Sequence, residues 1–295
     1  PLQDQGGTHR REGERMRDAV LIDSHGATDV GKERRANEDQ FLLAGLHKGM
    51  MVQQTSLAMD DQTPLTGGMQ GKLLVVADGM GGQAAGDHAS QLAMQTLMDY
   101  VLNTMPWFFR LEEHHEEDLL DELTAGLERC HAQVKARGAQ RPELRGMGTT
   151  LTMAYVLWPR MYVVHIGDSR CYVLRGGRLH QITTDHSMAQ ALVDKGTLQP
   201  EEAQESEWAH VLHKAIVDDD DTSLDPDIYK AELAYGDRVL LCTDGLTKHL
   251  DDEQIAAVVQ QTDGVRDAVS RLVARANEEG GSDNVTVVLS AFERS

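Results

Sequence analysis

The sequence has few cysteines and no pattern that would link them. Cys130, Cys171 and Cys242 are the three cysteines of this 295-residue chain, and no two of them form a CxxC pair. Cys171 and Cys242 lie inside apolar, strand-like runs. An odd number of scattered cysteines favours buried free thiols over a disulfide framework. Because free thiols persist in a reducing compartment, the sequence predicts a cytoplasmic protein.

Basic residues are scarce, and long apolar runs are missing. Lysine and arginine total 28 against 48 acidic residues, which gives a formal net charge of −20. Nucleic acids and anionic membrane surfaces are bound through an excess of basic residues, so neither is expected as a partner. No apolar run approaches the ~18 residues that a membrane span needs. Residues 1–18 are polar, and we expect a disordered arm there rather than a signal peptide.

No segment rich in proline, glycine or serine divides the chain, and no internal repeat is present. The length allows one large domain or two, and the hydrophobic fraction of 40% is ordinary for a globular protein. Without a linker, one domain over 19–293 is the better prediction. A stretch with little periodicity, 47–72, is expected to be an insertion: either a long loop or the extension of a hairpin.

Hydrophobic periodicity predicts a mixed α and β protein. Gly176 and Gly177 join two strand-like runs, and a two-residue glycine connection is typical of a tight hairpin and hence of antiparallel pairing. The expected architecture is α+β, with antiparallel strand layers and amphipathic helices outside them. The predicted strands are 20–23, 41–44, 73–77, 149–157, 161–166, 171–175, 178–183, 228–233, 238–242 and 285–292. The predicted helices are 89–101, 116–134, 187–196, 200–208, 252–260 and 265–277.

Acidic residues are abundant, and six of them lie where an apolar, strand-like run stops. Carboxylates gathered at strand ends repel one another and lose hydration, so they take up protons unless a cation lies between them. Oxygen ligands of this kind suit magnesium, manganese or calcium. The pattern therefore predicts a metal-assembled hydrolytic site. The six residues are Glu38, Asp39, Asp78, Asp168, Asp244 and Asp283.

The ordered motifs of the chain resemble those of the metal-dependent type 2C (PPM family) serine/threonine protein phosphatases, and the bacterial members most closely. The resemblance covers about 20–292. It implies a central antiparallel β-sandwich flanked by pairs of α-helices, in four layers (α/β/β/α). The motifs are Arg34-x-x-Asn37-Glu38-Asp39, Asp78-Gly79-Met80-Gly81-Gly82, Gly148-Thr149-Thr150, Gly167-Asp168-Ser169-Arg170, Asp185-His186-Ser187, Asp244-Gly245-Leu246 and Asp283-Asn284.

The resemblance also implies roles for individual residues. Asp78 would bridge two Mn2+ or Mg2+ ions; Asp244 and Asp283 would complete one site, and Glu38 and the Gly79 carbonyl the other. Asp39 would bind metal-associated water, and Asp168 would hold a weaker third ion together with Asp244. Arg34 would bind the phosphate of phosphoserine or phosphothreonine, which a metal-bridging hydroxide attacks.

The sequence departs from the motif of many eukaryotic family members at the position of the acid that would protonate the leaving oxygen. Met80 follows Asp78-Gly79 where many eukaryotic relatives have histidine, so water in the metal site or His186 remain the candidates. The region 187–227 corresponds to the flap of bacterial relatives. The resemblance further implies a partner serine/threonine kinase, and we expect a monomer.

Two other function classes remain as alternatives. A catalytically weak pseudophosphatase could serve as a regulatory binding module, although such proteins usually lack one of the metal carboxylates and this chain has all of them. A phosphohydrolase for small metabolites or a metal nuclease would use similar ligands, and the net charge of −20 disfavours the nuclease. The choice between Mn2+ and Mg2+ stays open.

Overall fold

A computed structural model describes residues 20–54, 56–58, 64–81, 85–106, 115–203, 206–219 and 224–294. Within them the chain forms twelve β-strands in two antiparallel sheets. The strands are β1 (Val20–Asp29), β2 (Asp39–Met51), β3 (Pro64–Met80), β4 (Gly148–Thr149), β5 (Leu151–Leu157), β6 (Arg160–Ile166), β7 (Arg170–Arg175), β8 (Arg178–Gln181), β9 (Ile216–Val217), β10 (Asp227–Glu232), β11 (Arg238–Cys242) and β12 (Val285–Arg294).

The smaller sheet has the strand order β1-β12-β11-β7-β8. The larger sheet has the order β10-β6-β5-β3-β4-β9, with β2 paired to β3 outside that path. Each pair is antiparallel, as the Gly176–Gly177 connection predicted. Both glycines of that connection have positive φ values, +55° and +84°, which is the backbone of a tight two-residue hairpin turn.

Six α-helices accompany the sheets in the described residues. Helices α1 and α2 pack on each other and on the larger sheet, whereas α5 and α6 pack on the smaller sheet. The capping box between Asp251 and Gln254 begins α5. The helices are α1 (Ala85–Asn103), α2 (Glu116–Gln140), α3 (Met188–Asp194), α4 (Asp244–Thr247), α5 (Asp252–Gln261) and α6 (Val265–Glu278).

Three buried clusters lie between the layers. All seven residues of β5 are buried, because successive side chains point to opposite faces and both faces are covered. Met153 and Tyr155 contribute to the cluster under α1 and α2, while Ala154 and Val156 contribute to the cluster between the sheets. A third cluster joins the smaller sheet to α5 and α6. The result is the predicted four-layer α/β/β/α arrangement.

Two local predictions change in the structure. The segment 47–72 contains the distal parts of β2 and β3, so of the two alternatives it takes the hairpin extension, with register shifts beside His47. The predicted helix at 200–208 is wrong: only Pro200–Glu202 forms a short 3-10 helix, and the described residues that follow form turns. Residues 206–210 hold one large apolar side chain, Trp208, and it is 43% exposed, so a longer helix would bury no apolar stripe there.

The predicted arm at 1–18 lies outside the described residues, as does Gly82 of the glycine-rich motif. None of the helices in the described ranges combines the length and the apolar character that crossing a membrane requires.

Candidate metal centre

The two sheets meet near the strand ends that carry the six acidic residues of the predicted site. Asp39 begins β2 and lies directly opposite Asp78, near the end of β3, in the antiparallel register. The neighbouring pair is joined as well, because the amide of Gly79 donates a hydrogen bond to the Glu38 carbonyl at 3.1 Å. Since facing residues in such a ladder have Cα atoms about 5 Å apart, the β2–β3 pairing alone brings these acidic groups together.

Asn284 connects this corner to the smaller sheet. Its Oδ1 accepts a hydrogen bond from the Glu38 amide at 2.8 Å, and its Nδ2 donates to the carbonyls of Val30 and Ala36. Asp283, directly before Asn284 and β12, is thereby held against the segment that carries Arg34 and Glu38. The Asp-Asn motif predicted a ligand at Asp283, and the structure adds a positioning residue beside it.

Asp39 is buried, with 2% of its surface exposed. Its Oδ2 accepts hydrogen bonds from the hydroxyls of Thr243, at 2.8 Å, and Thr286, at 2.7 Å. Its Oδ1 is buried with no partner among the described residues. Burial, opposed by the two hydroxyls and reinforced by the charges of Asp244 and Asp283, raises the pKa of Asp39 to about 7. Such a carboxyl is poised to gain from a nearby cation.

In Asp78 and Asp168, too, burial and nearby negative charges destabilise the charged carboxylate. Burial raises the pKa of Asp78 well above its usual value, and repulsion from Asp39, Asp244 and Asp168 adds to this effect. Burial followed by repulsion from Asp244 raises the pKa of Asp168 to about 8. Thr150 links their surroundings, because its hydroxyl accepts from the Asp78 amide at 3.0 Å and bonds to Ser169 at 2.9 Å.

Asp244 and Asp283 contact basic side chains instead. The ammonium of Lys248 lies 2.6 Å from Asp244 Oδ2 and 2.6 Å from Asp283 Oδ2. Arg34 faces both oxygens of Asp283, with Nε 2.8 Å from Oδ1 and Nη2 2.9 Å from Oδ2. Burial would raise the pKa of Asp283, but Lys248 and Arg34 outweigh it and hold that pKa below its usual value. Asp244 Oδ1 is buried without a partner among the described residues.

Gly79 lies where no larger residue fits. A Cβ at this position would lie 2.3 Å from the carbonyl oxygen of Gly86 and 2.7 Å from that of Glu38. The missing side chain lets the start of α1 approach the end of β3, next to the carboxylates. The glycine of this Asp-Gly pair therefore serves close packing, and metal binding by its carbonyl stays a prediction.

The donors of this centre fit hard divalent ions. Burial and mutual repulsion raise the pKa values of Asp78 and Asp168. Two buried oxygens, Asp39 Oδ1 and Asp244 Oδ1, accept no hydrogen bond from the described residues. A hard divalent ion would offset this negative charge. Among the described residues, however, no group of three or more acidic, histidine or cysteine side chains is already arranged to hold an ion. Asp244 contacts Lys248, and Asp283 contacts both Lys248 and Arg34. The oxygen donors that a hard ion needs are therefore present, but two of them face basic side chains.

Described residues of the flap region border a cavity of about 610 Å3 beside this centre. Its lining includes Asp168, Asp244 and Lys248 from the centre and His210 from the flap region. His210 Nδ1 is 4.0 Å from Asp244 Oδ2. Two of the six acidic residues, Asp168 and Asp244, therefore border this cavity.

His186, which the sequence left as a possible acid, has a packing role here. Its Nδ1 accepts a hydrogen bond from the Gly167 amide at 3.1 Å, and its Nε2 is 3.3 Å from Asp227 Oδ2 without hydrogen-bond alignment. Only 4% of the residue is exposed, and its ring packs against that of His165 at a tilt of 36°, with the centroids 4.7 Å apart. The side chain thus fixes the loop before Asp168 rather than facing the cavity.

Comparison with known proteins identifies the family. The family model described as Protein phosphatase 2C matches residues 48–290. The chain belongs to the protein phosphatase 2C family. It is 39% identical over 219 residues to the serine/threonine protein phosphatase PstP of Mycobacterium tuberculosis, which covers 74% of this chain and 40% of PstP. It is 34% identical to the protein phosphatase PhpP of Streptococcus pneumoniae over 270 residues, 89% of this chain and 94% of PhpP.

Solved structures agree with this assignment. The crystal structure of M. tuberculosis PstP superposes with a TM-score of 0.75 at 34% identity, over 93% of this chain and all of that one. A structure of the PstP catalytic domain in complex with two manganese ions has a TM-score of 0.73 at the same identity and coverage. The chain thus spans less than half of full-length PstP, although it covers all of its crystallised part.

Three residues that contact these carboxylates were not predicted from the sequence. Thr243 and Thr286 hold Asp39 although they are far from it in sequence, and no local pattern marks them. Lys248 carried a usable signal, since it follows Asp244 by four residues at the start of a helix and such pairs meet on one face. Arg34 was predicted to bind phosphate, and in the structure it contacts Asp283.

Proposed function

We propose that the chain is a metal-dependent phosphatase that removes phosphate from phosphoserine and phosphothreonine in proteins. The observation that carries this proposal is the set of buried carboxylates whose pKa values rise through burial and mutual repulsion, with two oxygens left partnerless. Membership of the protein phosphatase 2C family supports the reaction class. The two manganese ions in the PstP structure support the choice of cofactor.

The proposed ligands of two Mn2+ or Mg2+ ions come from four segments that the β2–β3 pairing and the sheet contact bring together. When bound, such ions would activate water for attack on phosphorus and offset charge on the phosphoryl oxygens. Asp39, fixed by its two threonine hydroxyls, would accept a hydrogen bond from ordered water through Oδ1. The ligands are Glu38, Asp78, the Gly79 carbonyl, Asp244 and Asp283.

Arg34 is proposed to bind the substrate phosphate. Half of its side chain is exposed, and its planar fork can bind two oxygens of one phosphate. The same fork faces Asp283 in the structure, so phosphate and Asp283 would compete for it. Substrates of this kind are the products of serine/threonine protein kinases, and a kinase of that class is the proposed functional counterpart.

A phosphopeptide assay under metal control tests the proposal. We expect a phosphothreonine peptide to be hydrolysed with manganese and not with a chelator, and phosphotyrosine and small phosphomonoesters to be poorer substrates. Asp78→Asn removes a charge from the centre and should reduce turnover at least about 100-fold, the upper range for disturbing a metal site. Asp99→Asn, on the exposed face of α1, is the matched control. Wild-type turnover of Asp78→Asn in excess manganese would refute the site.

Asp168 is proposed to hold a third, weaker ion with Asp244. Burial raises the pKa of Asp168, repulsion from Asp244 raises it further, and both carboxylates line the cavity beside the flap region. Asp168→Ala should therefore keep the stoichiometry of two tight manganese ions in calorimetry and slow turnover. Loss of all manganese uptake in this variant would show instead that Asp168 supports the main pair of ions.

One observation favours the alternative of a pseudophosphatase that acts as a binding module. Asp283, a proposed ligand, is already paired with both Lys248 and Arg34. If those pairs persist, the protein would take up no manganese and show no turnover. Calorimetric titration of the metal-free protein with manganese distinguishes the phosphatase from the pseudophosphatase, because only the phosphatase is expected to bind two ions at micromolar concentrations.

A further inference from the structure

Lys248 places a fixed positive charge between two proposed metal ligands. Its ammonium is 2.6 Å from one oxygen of Asp244 and 2.6 Å from one oxygen of Asp283. One-fifth of the side chain is exposed. Contacts this short between charged groups away from bulk water are the stronger class of protein hydrogen bonds. The ammonium therefore neutralises much of the charge that would otherwise attract a divalent ion.

The fold holds Lys248 in this place. Asp244 and Lys248 are four residues apart across α4, and the Lys248 amide donates to the Asp244 carbonyl at 2.8 Å. Gly245 packs so closely on the next segment that a Cβ there would lie 1.9 Å from the Asn284 carbonyl oxygen. Leu246 is fully buried beneath the turn. This turn is therefore locked against the start of β12, which puts Asp283 beside Lys248.

The cavity of about 610 Å3 lies on the other side of Lys248. The stem of Lys248 borders this cavity, whose lining also includes Asp251, Asp252 and Glu253. An ammonium that leaves Asp244 and Asp283 would therefore move toward a second set of carboxylates.

We propose that Lys248 is a built-in counter-ion that competes with divalent metal ions for Asp244 and Asp283. The inference rests on the proposed function, since it takes these aspartates as metal ligands. In the metal-free protein the ammonium relieves repulsion between the two carboxylates. Metal binding must displace it toward the cavity, so Lys248 lowers the metal affinity of this enzyme and confines full occupancy to higher concentrations of the ion.

The competition predicts opposite effects on the metal-free and the metal-bound protein. Lys248→Met keeps the length of the stem and removes the charge. We expect manganese to bind this variant at least about tenfold more tightly in calorimetry, because the variant removes two competing charge-assisted hydrogen bonds and the loss of one alone supplies about that factor. In chelator, the melting temperature of the variant should fall below that of the wild type, so manganese should raise it by a larger interval.

Two further variants isolate the charge. Lys248→Arg keeps a cation at the position and should bind manganese with nearly wild-type affinity. Lys230→Met removes a half-exposed lysine that pairs with Glu116 at 3.4 Å, away from the centre, and should change neither readout. Circular dichroism of each variant in chelator shows whether the fold is retained. If Lys248→Met unfolds, Lys248→Arg is compared with the wild type instead. Tighter manganese binding by Lys248→Arg would show that the positive charge does not lower the metal affinity.

Manganese binding by the wild type distinguishes failure of the counter-ion role of Lys248 from failure of the proposed metal site. Equal or weaker manganese binding by Lys248→Met, with the wild type binding normally, would overturn the counter-ion role and leave the phosphatase assignment standing. Absence of manganese uptake by the wild type and by Lys248→Met alike would overturn the metal site itself, and the inference with it.

Discussion

Asp39 offers a direct test of the electrostatics of the metal-free centre. Its pKa rises from 3.8 to about 7, because burial and the charges of Asp244 and Asp283 outweigh two threonine hydrogen bonds. A group whose pKa is higher in the folded state contributes stability that is complete below pH 4 and is lost as the pH rises through 7. At about 1.4 kcal/mol per pKa unit, the loss is on the order of a few kcal/mol.

Asp39→Asn should remove this loss. The amide has nearly the same shape, its oxygen can accept from Thr243 and Thr286, and its charge does not change with pH. In chelator, the difference in the free energy of unfolding between variant and wild type should therefore increase in favour of the variant from pH 5 to pH 8. Urea unfolding at each pH measures it, with the exposed Asp99→Asn as the control.

Manganese should reverse the advantage of the variant, since a bound cation stabilises the carboxylate of Asp39 and not the amide. A difference that stays constant from pH 5 to pH 8, or that moves in favour of the wild type in chelator, would refute the assignment of a raised pKa to Asp39. Taking the difference between the two proteins removes the contributions of titrating groups far from the site. Asp78 also responds to the substitution, because repulsion from Asp39 helps to raise its pKa, and its response favours the variant in the same direction.

Three further predictions concern single sites. Gly79→Ala places a Cβ 2.3 Å from the Gly86 carbonyl oxygen and should cost about 1–3 kcal/mol in urea unfolding; an unchanged midpoint would contradict the close packing. Burial lowers the pKa of His165 to about 3, so the wild type should lose stability as the pH falls from 6.5 to 3, whereas His165→Gln should lose less. Burial raises the pKa of Cys130 and Cys242 to about 12, so thiol reagents should label them only in urea, and rapid labelling of the folded protein would contradict their burial.

The elements that periodicity predicted are those with a continuous apolar pattern. The stripe of α6 was predicted correctly because it forms one face that packs on the smaller sheet, and β5 was predicted correctly from its period of two although both of its faces are buried. The helix predicted at 200–208 has no such stripe, and the structure keeps only its first turn. The hairpin extension over 47–72 stayed undecided because pairing between β2 and β3 depends on two segments rather than on one.

The sequence by itself determined that these acidic residues lie at the ends of strands. Each acidic residue follows or precedes an apolar run, so local order was enough to predict carboxylates at strand ends and a hard cation between them. The tertiary structure alone decided what surrounds these carboxylates. Asp39 meets Thr243 and Thr286 across separations of 204 and 247 residues, and Lys248 reaches Asp283 because α4 is locked against β12. Such contacts depend on how the sheets pack, and local patterns carry no information about distances between segments so far apart in the chain.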